Sequence, residues 1–461
     1  FAGFLTHTDA QIGRLLTWLD ARGQLDNTIV AVFSDNGASA EGGKDGSANE
    51  MRFTAHVRES MEDNLAHYDD WGGFNTYNHY SWAWAWAGNT PHKLWKRYTW
   101  LGGTRTPLIV HWPRGIEQPG VVRSQFCHAI DLAPTLLAAA GLEMPAEVDG
   151  VAQQVVDGQS LLAALQDPAA PEVHQTQYFE MLGSRSIYHQ GWKATTDHIS
   201  TGVLDEEELA IGSRDFSTDR WELFDLSRDF SESTDRAGEE PERLQQLIDV
   251  WSREAERNQV LPISDGLIDR FGGFIPPAYP AGSSKTFRPG GSPVHDESVP
   301  LLWGGFRLTA DVDASPQSDG VVCALGDWFG GYALYFVDGR PHFTFARSAD
   351  ALELAGAPLA SDGEHQLTIE YSLGEGGGPG RMVLVVDGQQ ADETVVEHIL
   401  PLALQHGGAG LRLACDAGFP VSRRYTPPAP FSGTVHQVMI ETPGAPVRDT
   451  RDEVRAALHS D

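Results

Sequence analysis

The chain is short of cysteine, of positive charge and of long apolar runs. Three cysteines, Cys127, Cys323 and Cys415, stand among 461 residues. None sits in a C-x-x-C spacing, which excludes a disulfide framework and a cysteine-built zinc site. So few thiols lean toward a reducing compartment without deciding it. Lys and Arg total 33 against 64 Asp and Glu, a formal net charge of −31. That deficit argues against a nucleic-acid or anionic-membrane partner, because phosphate neutralisation needs a cation excess. No apolar run reaches the roughly 18 residues needed to span a bilayer as a helix. What is present is a globular composition, 41% hydrophobic and 10% aromatic, enough to bury at least one large core.

The order of patterns is α/β first and all-β afterwards. Phe4, Leu5, Ile12, Leu15, Leu16 and Leu19 share a helical face, and Gly23 follows as a stop signal. No N-terminal cap precedes this helix and the first residue is Phe1, so the chain reads as a fragment. TIVAVFSD, ending at Asp35, has the β-branched run of a central parallel strand, and TPLIVHWP (106–113) reads as a second strand. The long connection between them, rich in Trp, Tyr, Asn and Gly, suggests a functional insertion with a helical stretch near 57–67. HAIDLAPTLLAAAGL (128–142) reads as a helix stopped by Gly141. Two or three short antiparallel strands are expected over 177–195, another over 221–229, and an amphipathic helix over 239–259. A Pro/Gly/Ser-rich stretch at 276–300 marks a boundary. Beyond it, alternating runs and the pairs Asp338-Gly339 and Asp387-Gly388 predict a β-sandwich.

Three places could carry chemistry. Asp35 and Asn36 stand at a strand's carboxyl end, where α/β sheets place ligands. Two adjacent hard oxygen donors suit Ca²⁺ or Mg²⁺, although Asp-Asn-Gly also serves as an ordinary polar turn. Lys96 is one of four cations, with Lys93, Arg97 and Arg105, between positions 93 and 105. In so acidic a chain, this island is what an anionic substrate would require; its plainer role is a solvated basic patch. Trp82, Trp84 and Trp86 alternate, which in a strand would put all three on one face as a pocket wall or as core. His79 and His92 have polar neighbours and are candidate cleft residues, as is Arg105.

Taken in sequence, these motifs resemble the sulfatase family. The first helix, Phe1 to Leu15, is similar to the segment preceding the second metal motif, and Ser34-Asp35-Asn36-Gly37 resembles that motif. Lys96 with Gly102-Gly103-Thr104-Arg105-Thr106-Pro107 resembles the Lys-x5-Gly-Gly-x-Arg-x-Pro stretch, with Leu101 where many members carry Glu. The 128–142 helix and WELFDLSRD continue the match to about residue 265, and the insertion and appended sandwich look most like large actinobacterial arylsulfatases.

The resemblance implies an alkaline-phosphatase-like α/β fold that hydrolyses sulfate esters, here its C-terminal portion. It implies Ca²⁺ held partly by Asp35 and Asn36, Lys96 on the sulfate oxygens, and a formylglycine nucleophile from a C/S-x-P/A-x-R motif. None of the three cysteines lies in a C-x-P-x-R context, so the nucleophile is expected outside this chain, which alone should neither hold Ca²⁺ tightly nor turn over substrate. The implied organisation is a catalytic half over 1–142, its small antiparallel subdomain over 143–265, a linker over 266–293, a laminin-G- or concanavalin-like sandwich over 294–444 and a tail over 445–461. The implied partner is a small sulfate ester, with neither nucleic acid nor membrane. The alternatives are a phosphodiesterase or phosphonate hydrolase of the same superfamily, or a carbohydrate-binding module acting through the sandwich. Trp328 and Tyr332 are the sandwich's one candidate pair for stacking a sugar; a shielding role is the plainer reading.

Overall fold

A computed structural model describes residues 1–49, 59–73, 76–198, 215–266, 282–295, 298–300, 302, 305–347, 350–374, 379–397 and 410–442. The tail expected over 445–461 and the parts of the insertion and linker at 50–58 and 267–281 lie outside the described residues. The chain divides into two compact units, Phe1–Ala40 with Tyr80–Gly266, and Glu41–His79 with Leu267–Asp461. The inserted stretch is thus shared between the units. Among the described residues no helix is long and apolar enough to cross a membrane.

In the first unit, α1 spans Ala2–Ala21, and Gly23 follows it at φ +65° as the periodicity predicts. Its apolar face is not buried: Phe4 is 73% and Leu15 52% exposed. The strand β1 (Val30–Phe33) pairs with β2 (Leu108–His111), but antiparallel and as a two-stranded ribbon. This corrects the expected central parallel strand. Half-buried and exposed positions alternate along both strands, and half-buried Val32 pairs with exposed Ile109 as half-buried Leu108 does with exposed Phe33, so neither face of the ribbon is fully covered. Periodicity reports which element forms, not what covers it.

The tryptophan run is also corrected. It forms helix α2 (Trp82–Asn89) rather than a strand. At 3.6 residues per turn, positions 82 and 86 share a face while 84 points away. Trp82 and Trp86 accordingly lie 6.2 and 6.1 Å from the Trp95 ring, and Trp84 is 71% exposed.

A four-stranded antiparallel sheet follows, with β3 (Thr176–Met181), β4 (Ser184–His189), β5 (Trp192–Thr196) and β6 (Trp221–Asp225) in sequence order. Its first two turns, Leu182-Gly183 and Gln190-Gly191, have positive φ at both positions. That is the geometry whose twist matches a two-residue hairpin, and glycine takes the second site without strain. The amphipathic helix, Pro241–Arg257, buries Leu247, Trp251 and Ala255 against Ile187, Ala194 and Leu223. Each large apolar side chain buried there contributes about 1.5–3 kcal/mol.

The second unit contains a β-sandwich. One sheet holds β8 (Phe306–Ala314) between β13 (Gly363–Ser372) and β16 (Thr434–Glu441), with β14 (Gly380–Val386) and β15 (Gln389–Val396) beyond β13. The strand β7 (Ser284–Phe287) closes its other edge against β16, although the sequence places these residues in a linker. The other sheet runs from β9 (Gly320–Asp327) through β10 (Gly330–Val337) and β11 (Arg340–Arg347) to β12 (Asp350–Ala355). Asp338-Gly339 and Asp387-Gly388 turn at positive φ, as predicted. Leu308, Leu367, Ile369 and Ile440 from one sheet meet Leu334, Phe343 and Phe345 from the other in a single core. Tyr332 is wholly buried in that core, so it cannot pair with Trp328 to stack a sugar.

One buried ion pair fastens the first unit away from the ribbon. Asp131, fully buried, takes His174 Nδ1 on both carboxylate oxygens at 2.7 and 2.8 Å, and accepts the backbone N–H of His128 and Gln159. His174 Nε2 faces the Thr176 carbonyl and Gln177 Oε1, both at 3.1 Å. With acceptors on both nitrogens, the imidazolium fits and the neutral ring does not. Burial opposes that charge, but the Asp131 hydrogen bond and charge outweigh it, raising the His174 pKa and lowering that of Asp131. The pair therefore stabilises the fold fully between the ordinary carboxylate and imidazole ranges. Its contribution fades as pH rises past the raised histidine value or falls past the lowered aspartate one. His174→Ala should cost about 3–5 kcal/mol in urea unfolding at pH 6, and measurably less at pH 9.

Candidate functional site

The site is built on a backbone crossing. After β1 the chain runs Ser34-Asp35-Asn36-Gly37-Ala38, and it meets the 93–104 segment with no side chain between them. The Gly37 N–H donates to the Gly103 carbonyl at 3.0 Å, and the Lys96 N–H donates to the Ala38 carbonyl at 2.9 Å. A Cβ on Gly37 would collide with the Gly102 carbonyl oxygen, and one on Gly102 with the carbonyls of Lys93 and Leu94. Glycine is needed at both positions for this approach. Thr106 Oγ1 donates to the Ser34 carbonyl at 2.7 Å, tying the end of β1 to the start of β2. The two motifs singled out in the sequence, Asp35-Asn36 and Lys96, are therefore brought together through main chain.

Asn89, the last residue of α2, locks this crossing. Its Oδ1 accepts the Ala38 N–H at 3.1 Å, and its Nδ2 donates to the carbonyls of Leu94 and Gly102, each at 2.8 Å. One half-buried amide thus joins three stretches of chain. Asp35 is exposed and Asn36 half-buried, and Asn36 Nδ2 donates to Asp35 Oδ2 at 2.6 Å. The Asn36 carbonyl oxygen and the second Asp35 oxygen are outside that bond. Lys96 is half-buried.

A second layer holds the segment from the four-stranded sheet. Glu232 Oε2 accepts the Leu101 N–H at 2.6 Å, where the short helix Leu101–Thr104 begins. Its Oε1 takes Lys193 Nζ at 2.7 Å, and both side chains are essentially inaccessible to solvent. Burial pulls the Lys193 pKa down, while Glu232 opposes the fall. Glu222 receives both Lys93 Nζ at 3.2 Å and Trp100 Nε1 at 2.8 Å. The Lys93 ammonium also lies 4.5 Å from the Trp100 ring centroid. Lys93 is thus committed to structure.

Phe230 brings together the other two sequence candidates of this unit. The His92 Nδ1–H donates to its carbonyl at 3.2 Å, and the exposed Arg105 guanidinium lies 5.9 Å from its ring. Burial first, and Arg105 with it, lowers the His92 pKa against the pull of the Phe230 carbonyl. His92 is therefore neutral at pH 7, with Nε2 as its acceptor. His79 does not join this constellation: it belongs to the second unit, where its backbone exchanges two hydrogen bonds with Ser47.

Asn89, Lys193 and Glu232 were not singled out in the sequence. Gly-Asn-Thr-Pro reads as a turn, and one glutamate among so many acids carries no signal. Two measurements check their roles. Asn89→Ala should raise hydrogen exchange at the Ala38 amide by about tenfold or more, since its acceptor is lost. Lys193→Met should cost about 3–5 kcal/mol by stranding a buried carboxylate. Adding Glu232→Gln should restore most of that loss, because glutamine still accepts from Leu101.

The chain is similar to known proteins over its first unit. The sulfatase family model matches residues 1–142, and that of the N-sulphoglucosamine sulphohydrolase C-terminal region matches residues 92–253. An uncharacterized sulfatase of Schizosaccharomyces pombe is 28% identical over 281 residues, 60% of this chain and 46% of its own length. A sulfatase of Formosa agariphila is 24% identical over 263 residues, 54% and 37% of the two chains. The arylsulfatase of Klebsiella aerogenes is 30% identical over 144 residues, 31% and 29%. The chain spans less than half the length of these relatives. The two family matches overlap across the segment that carries Lys96 and Gly102-Gly103, and the region they cover, residues 1–253, is that of a sulfatase family member.

Proposed function

We propose that the first unit supplies metal-side and anion-binding residues of a sulfate-ester hydrolase. Asp35 and Asn36 act as oxygen donors to Ca²⁺, and Lys96 faces the sulfate oxygens. The observation that carries this reading is the hydrogen bond from the Lys96 N–H to the Ala38 carbonyl, two residues beyond Asn36. It ties the lysine backbone to the turn that carries the carboxylate–amide pair, which supports one shared site for the two motifs.

The donor chemistry fits a hard cation; the number does not. Ca²⁺ takes about six to eight oxygens, and Asp35 and Asn36 provide two side chains toward them. Among the described residues no group of three or more His, Cys, Asp or Glu could hold a metal. Two donors alone do not retain such an ion. Lys96 itself presents a compact, strongly hydrated point charge to one sulfate oxygen. His92, neutral and with Nε2 as acceptor, lines the same segment; Arg105, at its end, adds positive potential.

The test is equilibrium binding of phenyl sulfate to the 461-residue chain. Lys96→Ala should weaken it by about tenfold or more, ~1.4 kcal/mol, with the far-UV spectrum intact. Asp35→Asn should weaken any Ca²⁺-dependent increment and leave the rest. Unchanged affinity on removal of the ammonium would exclude the assignment.

A further inference from the structure

The residue after Lys96 is the strangest in the segment. Tyr98 N–H closes a tight turn onto the Trp95 carbonyl at 3.2 Å, so Lys96 and Arg97 are its two central residues. Arg97 has φ +88°, the backbone region that the third position of such a turn reserves for glycine or asparagine. An arginine there is strained, and strained non-glycine positions persist where the side chain is wanted. The guanidinium lies over the Tyr98 ring, 4.5 Å from its centroid. Its Nη1 is buried and has no hydrogen-bond partner among the described residues. A charged donor left without an acceptor is costly, and nothing else in this segment is treated so. Lys93 is paired with Glu222, and Lys193 with Glu232. Arg97 as a whole is only half-buried, so a ligand arriving at the turn can reach it.

We propose that Arg97 is a specificity-determining residue that binds a second anionic group, a carboxylate or a further sulfate, on the substrate whose sulfate ester Lys96 holds. The inference rests on the sulfate-binding role proposed for Lys96. Lys96 and Arg97 are consecutive central residues of one turn, a placement suited to two anionic groups on one small molecule rather than to one isolated sulfate. Guanidinium is suited to the second role because its planar fork donates two parallel hydrogen bonds to the oxygens of a carboxylate or sulfate. The preference would favour polyanionic esters, such as a sulfated uronic acid or a multiply sulfated sugar, over simple aryl sulfates. An excess of 31 negative charges elsewhere in the chain makes such a ligand dependent on this local island.

The experiment compares two ligands on the full chain, phenyl sulfate and its para-carboxylated analogue, by equilibrium titration of wild type, Arg97→Gly, Arg97→Lys and Lys96→Ala. Wild type should prefer the carboxylated ester by about tenfold. Arg97→Gly should bring the ratio of affinities close to one, and Arg97→Lys should keep an intermediate ratio. Arg97→Gly should also melt no lower than wild type, since glycine takes the positive φ freely. A ratio unchanged in Arg97→Gly, including equal weakening of both ligands, would overturn the inference, as would a glycine variant that unfolds. Lys96→Ala reports separately: if it leaves both affinities intact, the sulfate-ester reading fails, while the ratio in Arg97→Gly still decides whether the guanidinium binds the carboxylate.

Discussion

The constraint on which the candidate site depends is contact between two stretches of bare backbone. Gly37 and Gly102-Gly103 approach so closely that no Cβ fits between them, and the Asn89 amide satisfies the polar groups that this approach leaves inside. Buried main-chain donors and acceptors must be paired. A crossing of this kind is therefore rigid in a way that side-chain packing alone is not. The Asp35-Asn36 pair and Lys96 inherit their relative placement from it. Neither needs to touch the other to be held in register.

Electrostatics supplies the second layer, and it does so by pairing. The cations of the site unit are mostly spoken for. Lys193 neutralises Glu232, Lys93 serves Glu222 and stacks on Trp100, and Arg105 stands over Phe230. Glu232 spends its second oxygen on the Leu101 amide, so the four-stranded sheet reaches the glycine turn through one carboxylate. Buried pairs of this sort are poor net sources of stability, yet breaking one is expensive. Their effect is to make the geometry of 93–104 all-or-none.

Much of the fold was legible in the sequence where period and turn chemistry act locally. The hairpins at Leu182-Gly183 and Asp338-Gly339, the helix Pro241–Arg257 and the alternation of β8 through β16 follow from patterns a few residues long. Trp82, Trp84 and Trp86 misled because alternation of one residue type with alanine fits a strand as well as it fits a helix with one exposed tryptophan; alanine favours the latter. The direction of β1 was not legible, since strand pairing is decided by partners distant in sequence. Of the site, the residue types with distinctive neighbours, Asp35-Asn36 and Lys96, could be found by spacing. Asn89 and Glu232 could not, because their role exists only once residues far apart along the chain have met.

The way the polypeptide is shared between the two units bears on how it is made. Residues 41–79 belong with 267–461, and residues 80–266 come between them. During synthesis the early stretch must wait while an entire intervening body is translated and compacts, and only then can it find its neighbours. Such a plan favours slow, chaperone-attended assembly in the cell, and it makes recombinant yield sensitive to the pace of translation.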